Sequence, residues 1–166
     1  MKGYDYTGDG AYFITIRTYG RAQLFGSIVD GEMRFNDYGR ELANSWLAEQ
    51  YPYVHLDEWV VMPDHMHAIT VITDDRTGDT GSNVTDPYGG GIVPAKRRPF
   101  GRLIGAFKPV STRRVNDIRS MAGARLWQRN YYEHIARDGR SLRCIREYIS
   151  SKPSRWERER IAGTQR

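Results

Sequence analysis

Residues 11–19 form a run dominated by β-branched and aromatic side chains, including Tyr12, Phe13, Ile14 and Ile16, and this predicts a strand. Phe25 to Val29 and Glu32 to Phe35 flank Asp30-Gly31, a dipeptide suited to the positive φ angles of a two-residue turn, so the pair predicts a β-hairpin. Leu42, Trp46 and Leu47 then recur at helical spacing, predicting an amphipathic helix over Gly39–Gln50. Val54 to Met62 predicts another strand, broken by Pro63-Asp64. From His65 to Thr73 the strand pattern resumes. It sets Met66, Ala68, Thr70 and Ile72 on one face and His65, His67, Ile69 and Val71 on the other.

Between residues 74 and 95 the periodicity is lost in a stretch rich in Gly, Asp and Thr, which predicts a long flexible loop rather than a second domain. Phe100 to Ile118 returns to helical spacing. Leu103, Ile104, Phe107, Val110 and Val115 are its apolar side; Arg102, Lys108, Arg113 and Arg114 are expected to point outward, and Pro109 to kink or break the helix. Trp127 to Ala136 reads as aromatic and partly extended. Ser141 to Ser151 reads as a helix ended by Pro153, with 157–166 left as a short basic tail. No internal repeat is present. This order of elements predicts a single α+β domain over residues 1–156, a ferredoxin-like, mostly antiparallel sheet with helices on one face.

Composition narrows the class. The 166 residues are 39% hydrophobic and 27% charged, an ordinary globular balance. No 18-residue apolar run is present to suggest a membrane span, and the first residues lack the apolar segment of a signal peptide. Cys144 is the single cysteine, which excludes an internal disulfide and a cysteine zinc cluster; a cytoplasmic protein is expected. Charge is sharply divided. Residues 1–95 carry 6 Lys/Arg against 14 Asp/Glu, whereas residues 96–166 carry 19 against 6. The second segment has the footprint of a polyanion ligand, most often nucleic acid, with solvated helix faces as the alternative.

Two features carry candidate chemistry. His65 and His67 are two apart on a predicted strand, hence on one face, where neutral imidazole nitrogens could supply half of a metal site. Two partly buried histidines that only hydrogen-bond would give the same pattern. Tyr148 lies at the edge of the stripe formed by Leu142, Ile145 and Ile149, where its hydroxyl could emerge into a cleft among arginines. A tyrosine oxygen can attack a phosphodiester and hold one end as an ester, although a core tyrosine would fit the same stripe.

The segments Gly10–Ile16, Leu24–Gly26, Val60–Ile69, Gly105–Lys108, Trp127–Ile135 and Arg146–Trp156 occur in that order. Together they resemble the REP-associated tyrosine transposases, relatives of single-tyrosine insertion-sequence transposases in the HUH nuclease class. The resemblance runs from about Tyr4 to Trp156. It implies a ferredoxin-like fold, His65 and His67 as metal ligands, Tyr148 as nucleophile and Mg²⁺ or Mn²⁺ as cofactor. It also implies cleavage and rejoining of single-stranded DNA at palindromic hairpins through a 5′-phosphotyrosine. The implied partner is single-stranded or hairpin DNA, bound by a monomer or homodimer with no membrane association and a nucleoid location. Lys96, Arg97, Arg98, Arg102, Lys108, Arg113, Arg114, Arg143 and Arg146 would hold its backbone. Tyr131, Tyr132 and Trp127 are candidates to stack unpaired bases, with core packing an equal alternative for each.

At two positions the chain departs from that pattern. Four residues after the nucleophile, where the family usually has Asn or Gln as third ligand, stands Lys152, whose ammonium cannot ligate a cation. Asp64 replaces a more usual Asn. Asp64 and Glu133 are the carboxylates that could complete or support the site. A hairpin-binding protein of the same fold without efficient cleavage is therefore the competing reading. A phosphodiesterase acting on small nucleotides would leave the basic second segment unexplained.

Overall fold

The computed structural model describes residues 10–45, 54–73, 84–85, 92–93 and 100–164. β1 (Gly10–Arg17) is followed by the hairpin β2 (Gly26–Val29) and β3 (Glu32–Phe35), then α1 (Asp37–Ala43), β4 (Val54–Met62) and β5 (His65–Ile72). Next come the two-residue strands β6 (Val84–Thr85) and β7 (Ile92–Val93), α2 (Phe100–Ile118), β8 (Tyr132–Ala136), α3 (Gly139–Ser150) and α4 (Lys152–Thr164). β4, β5, β1 and β8 form one sheet in that order, every neighbouring pair antiparallel. With α1 between β1 and β4 and α2 between β5 and β8, the expected α+β, ferredoxin-like layout is present.

The hairpin forms where expected, with Asp30 at φ 54° and Gly31 at φ 74° making the left-handed turn. Asn36 caps α1 by accepting from the Gly39 N–H at 3.0 Å. A side chain at Gly39 would drive its Cβ to within 2.1 Å of the Phe25 carbonyl oxygen, which is why the helix can seat so closely on the hairpin. The helix thus starts before the expected Gly39 and is described as far as Ala43; Trp46 and Leu47 lie outside the described residues.

β5 has buried residues on both pleats, and this changes the expected layering. Tyr12, Ile14, Ile16, Met66, Ala68 and Ile135 pack under α1 and α2 through Leu42, Leu103, Ile104, Phe107 and Val115. Phe13 and Ile69, on the opposite pleats, pack under α3 through Ile149, with Leu142, Ile145 and Tyr148 beside them. The helices therefore cover both faces rather than one. The two apolar sides of the central strands each need a partner to leave water.

Three further expectations are revised. β6 and β7 pair as a short antiparallel ribbon within the segment expected to be a featureless loop. α2 runs through Pro109, anchored by buried Phe107 and Val115 on either side. Pro153 does not precede a tail. It sits in the first turn of α4, where a missing N–H is tolerated. Among the described residues no helix is long and apolar enough to cross a membrane.

Candidate functional site

Strand register assembles the site. Thr15 on β1 lies opposite His67 on β5, and Arg17 lies opposite His65, so these four residues share one face of the sheet. Phe13, two residues before Thr15, stacks against the His67 ring with centroids 5.5 Å apart. The face is the one covered by α3.

Each imidazole is oriented from behind. Asp64 Oδ1 lies 2.5 Å from His65 Nδ1, and an ionised carboxylate can only accept, so His65 carries its proton on Nδ1. The Thr15 hydroxyl pairs with His67 Nδ1 at 2.8 Å. The two Nε2 atoms converge to 3.1 Å. That is hydrogen-bond distance, and two imidazole nitrogens turned toward one point are also the groups that would hold a shared cation. The His67 pKa is pushed down to about 3, by burial first, then by His65, Lys152 and Arg17, so its ring is neutral and a competent ligand at neutral pH.

α3 brings Tyr148 over this pair. Asp138 caps the helix by accepting from the Ser141 N–H at 2.7 Å. Buried Ile149 seats it on Phe13 and Ile69. Tyr148, half-buried beside Ile149, sets its ring edge-on to His67, centroids 5.3 Å apart, and to Phe13 at 6.0 Å. One turn on, Lys152 Nζ lies 5.3 Å from the centre of the Tyr148 ring. Trp156, a further turn along, lies 5.5 Å from the His65 ring, so α4 closes that side.

Neither carboxylate candidate completes a ligand set. Asp64 is engaged behind His65. Glu133 pairs opposite Ile14, which places it on the other face of the sheet; alternation along β8 turns it away from the histidines. Among the described residues no group of three or more His, Cys, Asp or Glu could hold a metal ion.

The basic candidates separate. Arg146 forms a two-pronged ion pair with Asp57, at 2.8 and 3.0 Å, which raises its pKa further. A bulge in β4 between Leu56 and Trp59 contains Asp57. Lys108 donates to the carbonyls of Gln128, Arg129 and Asn130 and is half-buried rather than outward. Arg102, Arg113 and Arg114 are exposed on α2, across the sheet from Tyr148, with Arg114 3.8 Å from Glu41. Arg143 is exposed on α3. Lys96, Arg97 and Arg98 lie outside the described residues.

An open cleft of about 520 Å³ adjoins Tyr148 and His67 and is lined also by Phe13, Thr15, Arg17, Gln128, Asn130, Tyr131 and Tyr132. A second groove, of about 580 Å³ between α2 and residues 122–129, reaches neither histidine nor Tyr148. Thr15, Arg17, Gln128, Asn130 and Trp156 were not legible as site residues. Their membership depends on strand register and on α4 folding back.

No family profile matches the chain. An uncharacterised protein of Haemophilus influenzae (strain ATCC 51907 / DSM 11121 / KW20 / Rd) is 34% identical over 168 residues, covering 97% of this chain and 89% of the relative. Among solved structures, a REP-associated tyrosine transposase bound to a REP hairpin superposes with a TM-score of 0.52 at 18% identity, over 93% of this chain and 74% of that one. A protein from Deinococcus radiodurans R1, provisionally assigned as a transposase, gives 0.51 at 19% identity, over 90% and 95%. At such identities the shared property is the transposase-like fold.

Proposed function

Since this chain belongs to one family with the Haemophilus influenzae protein and has a transposase-like fold, we propose that it cuts and rejoins single-stranded DNA at hairpins, with Tyr148 as nucleophile. The observation that carries the reading is Tyr148 standing against His67, whose Nε2 converges with that of His65.

The Tyr148 oxygen attacks the phosphorus and the bond to the 3′ oxygen breaks. A 5′-phosphotyrosine and a free 3′-hydroxyl result. The phenol proton leaves to solvent in the open cleft, and the departing 3′ oxygen takes one up. The ester keeps the energy of the phosphodiester, so the reverse attack by a 3′-hydroxyl reseals the strand. Asp64 and Thr15 hold the imidazoles in register. His65 and His67 would hold Mg²⁺ or Mn²⁺, which supplies charge neutralisation at the phosphate oxygens when bound. Exposed Arg17 in the cleft and exposed Arg143 on α3 favour a DNA backbone as substrate.

Lys152 favours a second reading, a hairpin-binding protein with weak cleavage, because its ammonium lies by the nucleophile where the related pattern has an amide ligand. The test is a denaturing gel after incubation with hairpin-bearing single-stranded oligonucleotides and Mn²⁺. The cleavage reading expects a protein–DNA adduct that survives denaturation. Shifted complexes on a native gel without any adduct would leave the binding reading standing instead.

A further inference from the structure

The segment 128–132 forms one wall of the cleft, and strand cleavage as described gives its side chains no task. Its backbone is held from behind with unusual thoroughness. Lys108 Nζ donates to the carbonyls of Gln128, Arg129 and Asn130 at 3.0, 3.1 and 3.3 Å, which uses all three of its protons. The same ammonium lies 5.4 Å from the centre of the Tyr131 ring. The Gln128 N–H donates to the Arg17 carbonyl at 2.9 Å, and Trp127 bridges to Thr18, so the segment is tied to the end of β1.

In front, Gln128, Asn130 and Tyr132 line the cleft, Gln128 at its border with the groove beside α2. Among the described residues neither side-chain amide makes a hydrogen bond. Tyr132 is 59% exposed, its ring meeting Phe13 edge-on, centroids 6.2 Å apart. Tyr132, Thr15 and His67 occupy one row across three strands, which sets Tyr132 two strand spacings, about 10 Å, from His67. A side-chain amide offers a donor beside an acceptor, the complement of a base edge, and an exposed aromatic ring offers a face on which a base can stack.

We propose that Gln128 and Asn130 read an unpaired base next to the phosphate attacked by Tyr148, with Tyr132 as its stacking shelf and Lys108 as the positioning residue. This rests on the cleavage reading of the same cleft. The ligand is an unpaired nucleotide of single-stranded DNA, and the rigid backbone turns two flexible amides into a specificity element. Lys108 is on this account not a phosphate contact.

The experiment titrates the full-length protein against fluorescent hairpin oligonucleotides in which each unpaired nucleotide beside the hairpin is replaced in turn. The native protein is expected to discriminate at one or two positions by about tenfold or more. Gln128→Ala combined with Asn130→Ala should reduce that ratio to within about threefold while the weaker, sequence-independent binding remains. Tyr132→Leu should weaken all sequences alike. Lys108→Met should lower the discrimination ratio without altering the salt dependence of binding, since no phosphate contact is lost, and Lys108→Arg should restore part of it. Discrimination unchanged in the double variant, or absent from the native protein, overturns the inference and leaves cleavage intact. Loss of all DNA binding by the native protein overturns both.

Discussion

Tyr148 near the end of α3 and Lys152 at the start of α4 meet at one site and impose opposite demands on it. The phenol of Tyr148 is the only part of that side chain the proposed chemistry consumes; its ring packs against His67 and Phe13. Tyr148→Phe should therefore abolish the covalent adduct while DNA affinity stays within about threefold, as fluorescence anisotropy would report, because no charge is removed. An adduct that persists would move the nucleophile to another hydroxyl, with Tyr131 and Tyr132 of the cleft wall the next suspects. Lys152 places a positive charge by the nucleophile and the histidine pair. Lys152→Asn removes that repulsion and supplies an amide oxygen, so the Mn²⁺ concentration for half-maximal cleavage should fall. A requirement that is unchanged or higher would mean that the Lys152 ammonium does not oppose the ion.

Among the elements, α2 carries the least expected feature, a proline in mid-helix that does not end it. Pro109 is exposed and forfeits the N–H that would bond the Gly105 carbonyl. Pro109→Ala should raise stability by about 1–3 kcal/mol in urea unfolding; a loss would show that the proline serves this helix. Sequence periodicity was a good guide to α2, where Leu103, Ile104, Phe107 and Val115 are buried and Val110 half-buried. It was also a good guide to the hairpin, where Asp30-Gly31 permits few other conformations. It failed at Pro153, because a proline in the first turn of a new helix looks like a helix stop. It failed again at Glu133, where the alternation is easy to see but the face it assigns is known only once β8 is paired with β1.

At the scale of the whole molecule, the sheet separates two kinds of work. One face buries the larger core under α1 and α2; the other carries a smaller apolar cluster under α3, the histidines and the cleft. Composition could not foresee this, since Phe13 and Ile69 are as apolar as their neighbours Tyr12 and Ala68, and only packing shows which helix each meets. The basic residues of the second segment are likewise spread, with Arg102, Arg113 and Arg114 on the α2 side and Arg143 on α3. A high positive charge in sequence therefore does not amount to one continuous surface around Tyr148.

The close approach of Tyr148 to His67 is made within a single chain, by a helix resting on its own sheet. On the proposed reading each molecule carries the attacking oxygen together with the imidazoles it works beside, and cleavage should need no second molecule to bring them into range. The reaction order follows. Initial cleavage rate at saturating DNA should rise in direct proportion to protein concentration, with turnover per molecule constant on dilution. A rate climbing with the square of concentration would mean that two copies must assemble before the strand is cut.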